Sequence, residues 1–211
     1  MSTKTTSISF PQLAKLLKPF TFKNDTRPAL KHIYYNGNYL IATNSHILAR
    51  IYPEHITELP TNHQFYFEPR KNEIVQCSQQ YPETSRLFPA QFESEIKIMD
   101  INEFLTVAKE AKKFTERKNI PVKLSISKTY ITVTVEKDDE VFEKQTEIVL
   151  DGVENELYVN SSYLVYCLEL LKKIDRLSHD TITMNISGRL RPIYFKKDGI
   201  ADMLLLPIRI Y

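Results

Sequence analysis

Residues 7–20, Ser-Ile-Ser-Phe-Pro-Gln-Leu-Ala-Lys-Leu-Leu-Lys-Pro-Phe, set a short extended stretch directly before an amphipathic helix. Leu13, Leu16, Leu17 and Phe20 recur at helical spacing and make one apolar face. Ser9 and Gln12 are placed for a capping box, in which a hydroxyl and an amide satisfy orphan backbone donors. Downstream, residues 32–42 read His-Ile-Tyr-Tyr-Asn-Gly-Asn-Tyr-Leu-Ile-Ala. Asn36-Gly37 between β-rich flanks predicts a tight hairpin with positive φ at both turn positions. Residues 46–52 give a further strand.

The same order recurs twice. A second copy opens at Glu95-Ile-Lys-Ile, with Asp100 and Glu103 as another capping pair. Its helix places Ile101, Phe104, Leu105, Ala108 and Ala111 on one face and ends near Arg117. Strands are expected over 122–127, 130–136 and 141–150, with turns at Ser127-Lys128 and Asp138-Asp139. A third copy opens at Glu156-Leu-Tyr-Val. Asn160 or Ser161 caps a helix that buries Leu164, Cys167, Leu168, Leu171 and Ile174. Its strands fall near 181–186, 191–196 and 202–207. Between the first two copies, residues 53–94 hold five prolines, a strand near 64–68 and an irregular connector. A strand–helix–antiparallel-strands unit used three times predicts an α+β fold, with helices on one face of antiparallel sheets.

The chain has 211 residues, 42% hydrophobic and 26% charged, enough for a substantial core in one large or two small domains. No run approaches the length of a membrane helix, and the N-terminus has no apolar signal-like stretch. Cytoplasmic residence is expected. The net charge of +2 is a weak lean toward polyanions. The two cysteines, Cys77 and Cys167, do not make a disulfide framework.

Three stretches resemble one known family, the bacterial DNA sliding clamp (DNA polymerase III beta subunit). Arg27-Pro-Ala-Leu-Lys-His-Ile, together with Leu40-Ile-Ala-Thr-Asn-Ser-His-Ile-Leu-Ala, is similar to the family's middle-domain pattern. That pattern leads from a hairpin into Ala-Thr-Asp-Gly-His-Arg-Leu-Ala. Tyr81-Pro-Glu-Thr-Ser-Arg-Leu-Phe-Pro resembles the segment entering the last domain, and Leu204-Leu-Leu-Pro-Ile-Arg-Ile the C-terminal Met-Pro-Met-Arg-Leu ending. The sequence departs from the pattern with Asn44-Ser45 in place of Asp-Gly, Ile47 in place of Arg, and the extra Tyr211. The resemblance implies a shortened clamp: a partial middle-type domain over 1–75, a connector over 76–94 and a clamp-like C-terminal domain over 95–211.

It further implies a hydrophobic cleft that binds short peptide motifs of polymerases and other partners. Carried over by motif, its walls are Leu17, Thr43, Ser45, His46 and Leu48, then Pro82, Arg86 and Leu87, then Leu204, Leu206, Pro207, Ile208 and Arg209. Residues 204–208 also read as an ordinary core strand. For DNA, the polar helix faces offer Lys15 and Lys18, then Lys109, Lys113 and Arg117 at four-residue spacing, then Lys172, Lys173 and Arg176. These suit nonspecific phosphate contacts to duplex DNA, and they suit an ordinary solvated surface equally. Glu103, Glu110 and Glu169 lie nearby.

Nothing marks an enzyme. The five histidines lack zinc-ligand spacing, and there is no phosphate-cradling glycine loop or nucleophile elbow. Asp138, Asp139 and Glu140 read as a solvated turn, and Cys167 as a packing residue. No cofactor or metal is implied. Two readings remain: a clamp-like replication scaffold that tethers polymerase or repair proteins at DNA, or a non-ring adaptor or decoy that competes for clamp-binding peptides. Homo-oligomerisation is left open.

Overall fold

The computed structural model describes residues 8–115, 120–174 and 182–210. Arg117 and Arg176 lie outside the described residues.

The N-terminal elements are β1 (Ile8–Ser9), α1 (Phe10–Leu17), β2 (Ile33–Tyr35), β3 (Leu40–Thr43), β4 (Ile47–Ile51), β5 (Ile56–Thr57), β6 (Phe65–Glu68) and β7 (Glu73–Val75). The connector carries one short 3-10 turn, Ser85–Leu87. The C-terminal elements begin with β8 (Ser94–Ile98), α2 (Ile101–Phe114), β9 (Pro121–Ile126), β10 (Tyr130–Lys137) and β11 (Glu140–Gly152). They end with β12 (Asn155–Asn160), α3 (Ser161–Ile174), β13 (Ile182–Ile186), β14 (Ile193–Lys197) and β15 (Ala201–Leu205). The fold is α+β, as the repeats predict. Thirteen strands run in the order β12-β9-β10-β11-β8-β13-β14-β15-β4-β3-β2-β6-β7, and β1 pairs separately and in parallel with β5.

Alternation along each strand separates two faces. Leu40, Ala42, Ile47, Ala49 and Ile51 point to the helices and join one core with Leu13, Leu17, Phe20, Phe104, Leu168 and Leu171. Each buried Leu, Ile or Phe among them contributes about 1.5–3 kcal/mol. The alternate residues, Ile41, Leu48, Tyr194 and Leu204, point to the opposite, outer face and form smaller apolar clusters there.

Helix entry departs from the simple capping-box pattern. Ser9 is the residue before α1, but its side chain makes no cap bond. Asp100 accepts the N–H groups of Asn102 and Glu103, a cap worth about 1 kcal/mol. Glu103 does not turn back to complete the box. It reaches across to β11, where it accepts the Thr146 hydroxyl at 2.9 Å. Asn160, rather than Ser161, caps α3 through the N–H groups of Ser162 and Tyr163. The Asn36 hairpin is longer than predicted. Only Gly37 has positive φ, and the Asn36 side chain accepts the N–H groups of Asn38 and Tyr39, which spreads the turn over four residues.

Two ends of the chain meet at β4 and β15, which pair antiparallel from Ala201 opposite Ile51 to Leu205 opposite Ile47. On the outer face of this seam Arg50 stands directly opposite Asp202. The buried Asp202 carboxylate accepts Arg50 Nη2 at 2.6 Å, Arg50 Nε at 3.0 Å, the Tyr52 hydroxyl at 2.8 Å and the Tyr194 hydroxyl at 2.5 Å. Burial works against the Arg50 charge, and the Asp202 bonds more than offset it, so its pKa is raised. Burial, and then the bond to Asp202, also hold both phenols above their ordinary pKa, which keeps them as donors.

Replacing Asp202 by Ala leaves a largely covered guanidinium unpaired, and is expected to cost up to about 3–5 kcal/mol in urea unfolding. The paired change Arg50→Met with Asp202→Leu is expected to cost far less, because no charge is stranded. Gly152, at the end of β11, has φ of 124°, and a Cβ there would sit 2.3 Å from the Glu93 carbonyl oxygen. Gly152→Ala is therefore expected to lower stability by about 2–3 kcal/mol, read from the same unfolding curves.

Candidate functional site: an apolar groove on the outer face

The groove floor follows from the seam. Leu48 and Leu204 are direct cross-strand partners and both point outward. The turn between β3 and β4 makes one wall. There Thr43 Oγ1 accepts the Ser45 N–H and donates to the Ile47 carbonyl, while Asn44 Oδ1 accepts the N–H groups of His46 and Ile47. This network holds Ser45 at φ of 74°, a left-handed conformation that costs a residue with a Cβ about 1–2 kcal/mol. Position 45 is where the clamp pattern carries glycine.

The connector makes the opposite wall, and aromatic packing decides where it lies. Tyr81 is buried against Tyr34, the rings stacked 5.0 Å apart. The Tyr66 hydroxyl accepts the Tyr81 N–H and donates to the Gln79 carbonyl. Farther on, Phe88 lies over the Arg50 guanidinium at 4.0 Å, a cation–π contact. Pinned at both points, the connector brings Pro82, Glu83, Thr84 and Leu87 alongside Leu48 and Leu204.

The result is a groove of about 330 Å³, near the lower end of the range for ligand clefts. Leu87 is 53% exposed and Leu206 40%, so two leucines on its walls lack full apolar cover. A second, more polar depression adjoins it. The two share His46, whose ring stacks on Tyr163 at 5.5 Å, and Asn160, Tyr166 and Lys23 line the far side.

Of the cleft residues expected from sequence, Thr43, Ser45, His46, Leu48, Pro82, Leu87, Leu204 and Leu206 line the groove. Five do not. Leu17 is fully buried in the main core, because it lies on the same helical face as Leu13. Arg86 is exposed on the connector turn beside the groove without lining it. Pro207, Ile208 and Arg209 leave the groove because the tail turns toward β12, where the Ile208 N–H meets the Tyr158 carbonyl at 2.6 Å. Arg27, Leu30, Ile47, Glu83, Thr84 and Pro192 line the groove unforeseen. Arg27 and Leu30 sit within the quoted Arg27–Ile33 stretch, whereas no local pattern marks Pro192.

The helix-face cations are less uniform than their spacing implies. Lys15, Lys18, Lys113, Lys172 and Lys173 are exposed, and Lys15 and Lys173 border one depression between α1 and α3. Lys109 is engaged by Glu169 at 2.8 Å. Among the described residues no three His, Cys, Asp or Glu side chains gather as a metal site, and no helix is long and apolar enough to cross a membrane.

If the Ser45 backbone is strained as described, Ser45→Gly is expected to match or exceed the native melting temperature. Ser45→Val, β-branched at positive φ, is expected to lose about 1–2 kcal/mol.

No protein-family model and no curated protein matches the sequence. Solved structures do match. The DNA polymerase sliding clamp of Bacillus subtilis aligns at TM-score 0.72 and 20% identity over 95% of this chain and 63% of that one. The beta subunit of the DNA polymerase of Streptococcus pyogenes gives 0.74 and 18% over 99% and 67%. The beta sliding clamp of C. crescentus gives 0.74 and 16% over 100% and 67%. The chain therefore spans about two thirds of the length of these proteins, and over that length it has the fold of the bacterial DNA sliding clamps.

Proposed function

We propose that the protein is a clamp-type scaffold that tethers DNA polymerase or other DNA-acting proteins through a short apolar peptide seated in the outer-face groove. In this reading residues 1–75 and 95–211 are two clamp-like domains joined by the connector. The observation that carries it is the floor of the groove: a Leu48–Leu204 pair contributed by strands from opposite ends of the chain, flanked by the exposed Leu87 and Leu206. Aliphatic walls of this kind accept Leu and Phe anchors, and His46 and Arg27 supply polar groups at the rim to orient them. The mechanism is tethering, which raises a partner's effective concentration at DNA. The exposed lysines of the helix face would contact phosphates without reading sequence.

A second reading, an adaptor that binds the same peptides without engaging DNA, is favoured by the Lys109–Glu169 pair, which neutralises one of the helix-face cations.

Titration with a fluorescent peptide of the Gln-x-x-Leu-Phe type tests the groove. Saturable binding is expected, and Leu87→Ala with Leu206→Ala should weaken it by about tenfold or more, given about 1.5–3 kcal/mol for a buried leucine. An unchanged affinity in that double variant would remove the groove from the reading. Duplex DNA anisotropy on the same protein separates the two roles. The scaffold predicts binding that falls steeply with salt and weakens in Lys15→Glu with Lys173→Glu, and the adaptor predicts none.

A further inference from the structure

Residues 22–32 form a loop that closes on itself and supplies part of the groove wall. The Phe22 N–H donates to the Leu30 carbonyl at 2.8 Å, Lys31 pairs with Asp25 at 2.5 Å, and the short 3-10 turn Pro28–Lys31 lies between. Arg27 and Leu30 reach the groove from this loop, and Arg27 Nη1 donates to the Ser45 hydroxyl. His32 ends the turn, its N–H donating to the Ala29 carbonyl at 3.3 Å. The residue is only 9% exposed. Its imidazole and the Tyr66 ring meet edge to face at 5.8 Å, and Nε2 stands 3.7 Å from the buried Glu68 carboxylate. Nδ1 is buried with no hydrogen-bond partner among the described residues. Glu68 is already engaged. Its Oε1 accepts the Arg70 N–H at 3.2 Å and lies 3.7 Å from the Arg70 guanidinium, which also donates to Thr21 Oγ1 at 3.0 Å.

We propose that His32 is an acid-sensitive latch. Buried and neutral, it holds the 22–32 loop against the sheet; on taking up a proton it leaves its site and releases the loop, and with it the Arg27 and Leu30 wall of the groove. The surrounding charges set the direction. A charged His32 would be a third cation on one carboxylate, because Arg70 and Lys31 already act on Glu68. Asp25, the other carboxylate of the loop, is paired with Lys31. Tyr66 offers a neutral ring. Burial therefore outweighs the pull of Glu68 and of the Ala29 and Pro28 carbonyls, and Lys31 adds to it, so the docked His32 has a pKa below its ordinary value near 6.5. An imidazole released to water titrates at that ordinary value. The released loop thus binds the proton more readily than the docked one. Docking is fully favoured above pH 6.5 and weakens as the pH falls toward the docked pKa. Apart from His32, the loop is tied to the body mainly by Ala29 and Leu30 against Ile41 and Tyr81 and by the Arg27–Ser45 bond. It can therefore open while β3 and β4 stay paired.

Amide hydrogen exchange on the full chain tests this. The reporters are the Phe22 and Leu30 N–H groups, both bonded within the closed loop, measured against the amides of β3 and β4 at the same pH. Relative to those strands, exchange in the native loop should rise by up to about tenfold between about pH 7.5 and pH 5.5. His32→Gln, which takes up no proton there, should show no such rise. His32→Leu, a second side chain that does not titrate, should behave alike, so the outcome does not hang on the folding of one variant. The fluorescent peptide should also bind the native chain several-fold more weakly at the lower pH, with no such loss in either variant. That second readout rests on the groove reading, and the first does not: loop release without peptide binding at either pH would uphold the latch and remove the groove. Loop exchange that keeps step with β3 and β4, or an acid-dependent rise that persists in both His32 variants, would overturn the latch.

Discussion

Four hydrogen bonds converge on the Asp202 carboxylate, and the outer face of the molecule is organised around them. Arg50 and Asp202 are 152 residues apart, yet they face each other across adjacent strands, so the pair fixes the register in which the two ends of the chain meet. A slip of one residue by either strand would turn its leucine, Leu48 or Leu204, toward the helix core and drive its half of the charged pair inward. The groove floor and the ion pair are thus consequences of one register. The aromatic surround adds a second layer. Tyr52 and Tyr194 occupy lone pairs that Arg50 leaves free, and Phe88 covers the guanidinium from the connector side. Without the buried charge the connector would lose one of its two anchors, and with it the wall that carries Leu87.

Much of this was legible in the sequence, for reasons that differ by element. The helices were legible because Leu13, Leu17, Phe104, Ala108, Leu164 and Leu168 mark their buried faces at helical spacing. The β10–β11 hairpin was legible because its turn is local. The caps were less so, since Glu103 finds a stronger use in the Thr146 hydroxyl of β11 than in its own helix start. The β4–β15 seam was beyond reach of any local pattern, because nothing near Arg50 announces Asp202. The motif resemblance supplied the groove residues on both sides of that seam, and it failed where local geometry changes direction. Leu17 is buried by its helical phase, and Pro207 to Arg209 leave with the tail. Residues 204–206 satisfy both sequence readings. Leu205 is core, and Leu204 and Leu206 belong to the groove, as the two-residue period of a strand requires.

Charge spacing is a weaker guide than apolar spacing on the helix face. Lys109 and Lys113 share one side of α2, but Lys109 is drawn to Glu169 of the neighbouring α3, and Lys112 lies over the Tyr166 ring at 5.0 Å. Long cationic side chains settle on whatever carboxylate or ring the helix packing brings near, whereas leucines have one face to choose. A surface pair of this kind is worth little in stability, about 0–1 kcal/mol, so DNA phosphates could compete for the same ammonium group. What the pair removes is standing positive charge, and hence long-range attraction.

The exposed edges of the sheet are handled unequally, and the inequality is informative. β7 is only three residues long. β12 receives the tail through the Ile208 N–H. At the corner of β11 the Glu103 side chain stands in for the absent strand at Glu147. Each is a recognised way of blunting an edge: shortness, cover and a side-chain substitute. Between residues 141 and 145 none of these devices is present among the described residues, although Glu103 could not extend farther along the strand and Lys144 is occupied by Glu110. Acidic residues, Glu140, Glu143 and Glu147, run along the stretch and discourage indiscriminate strand addition.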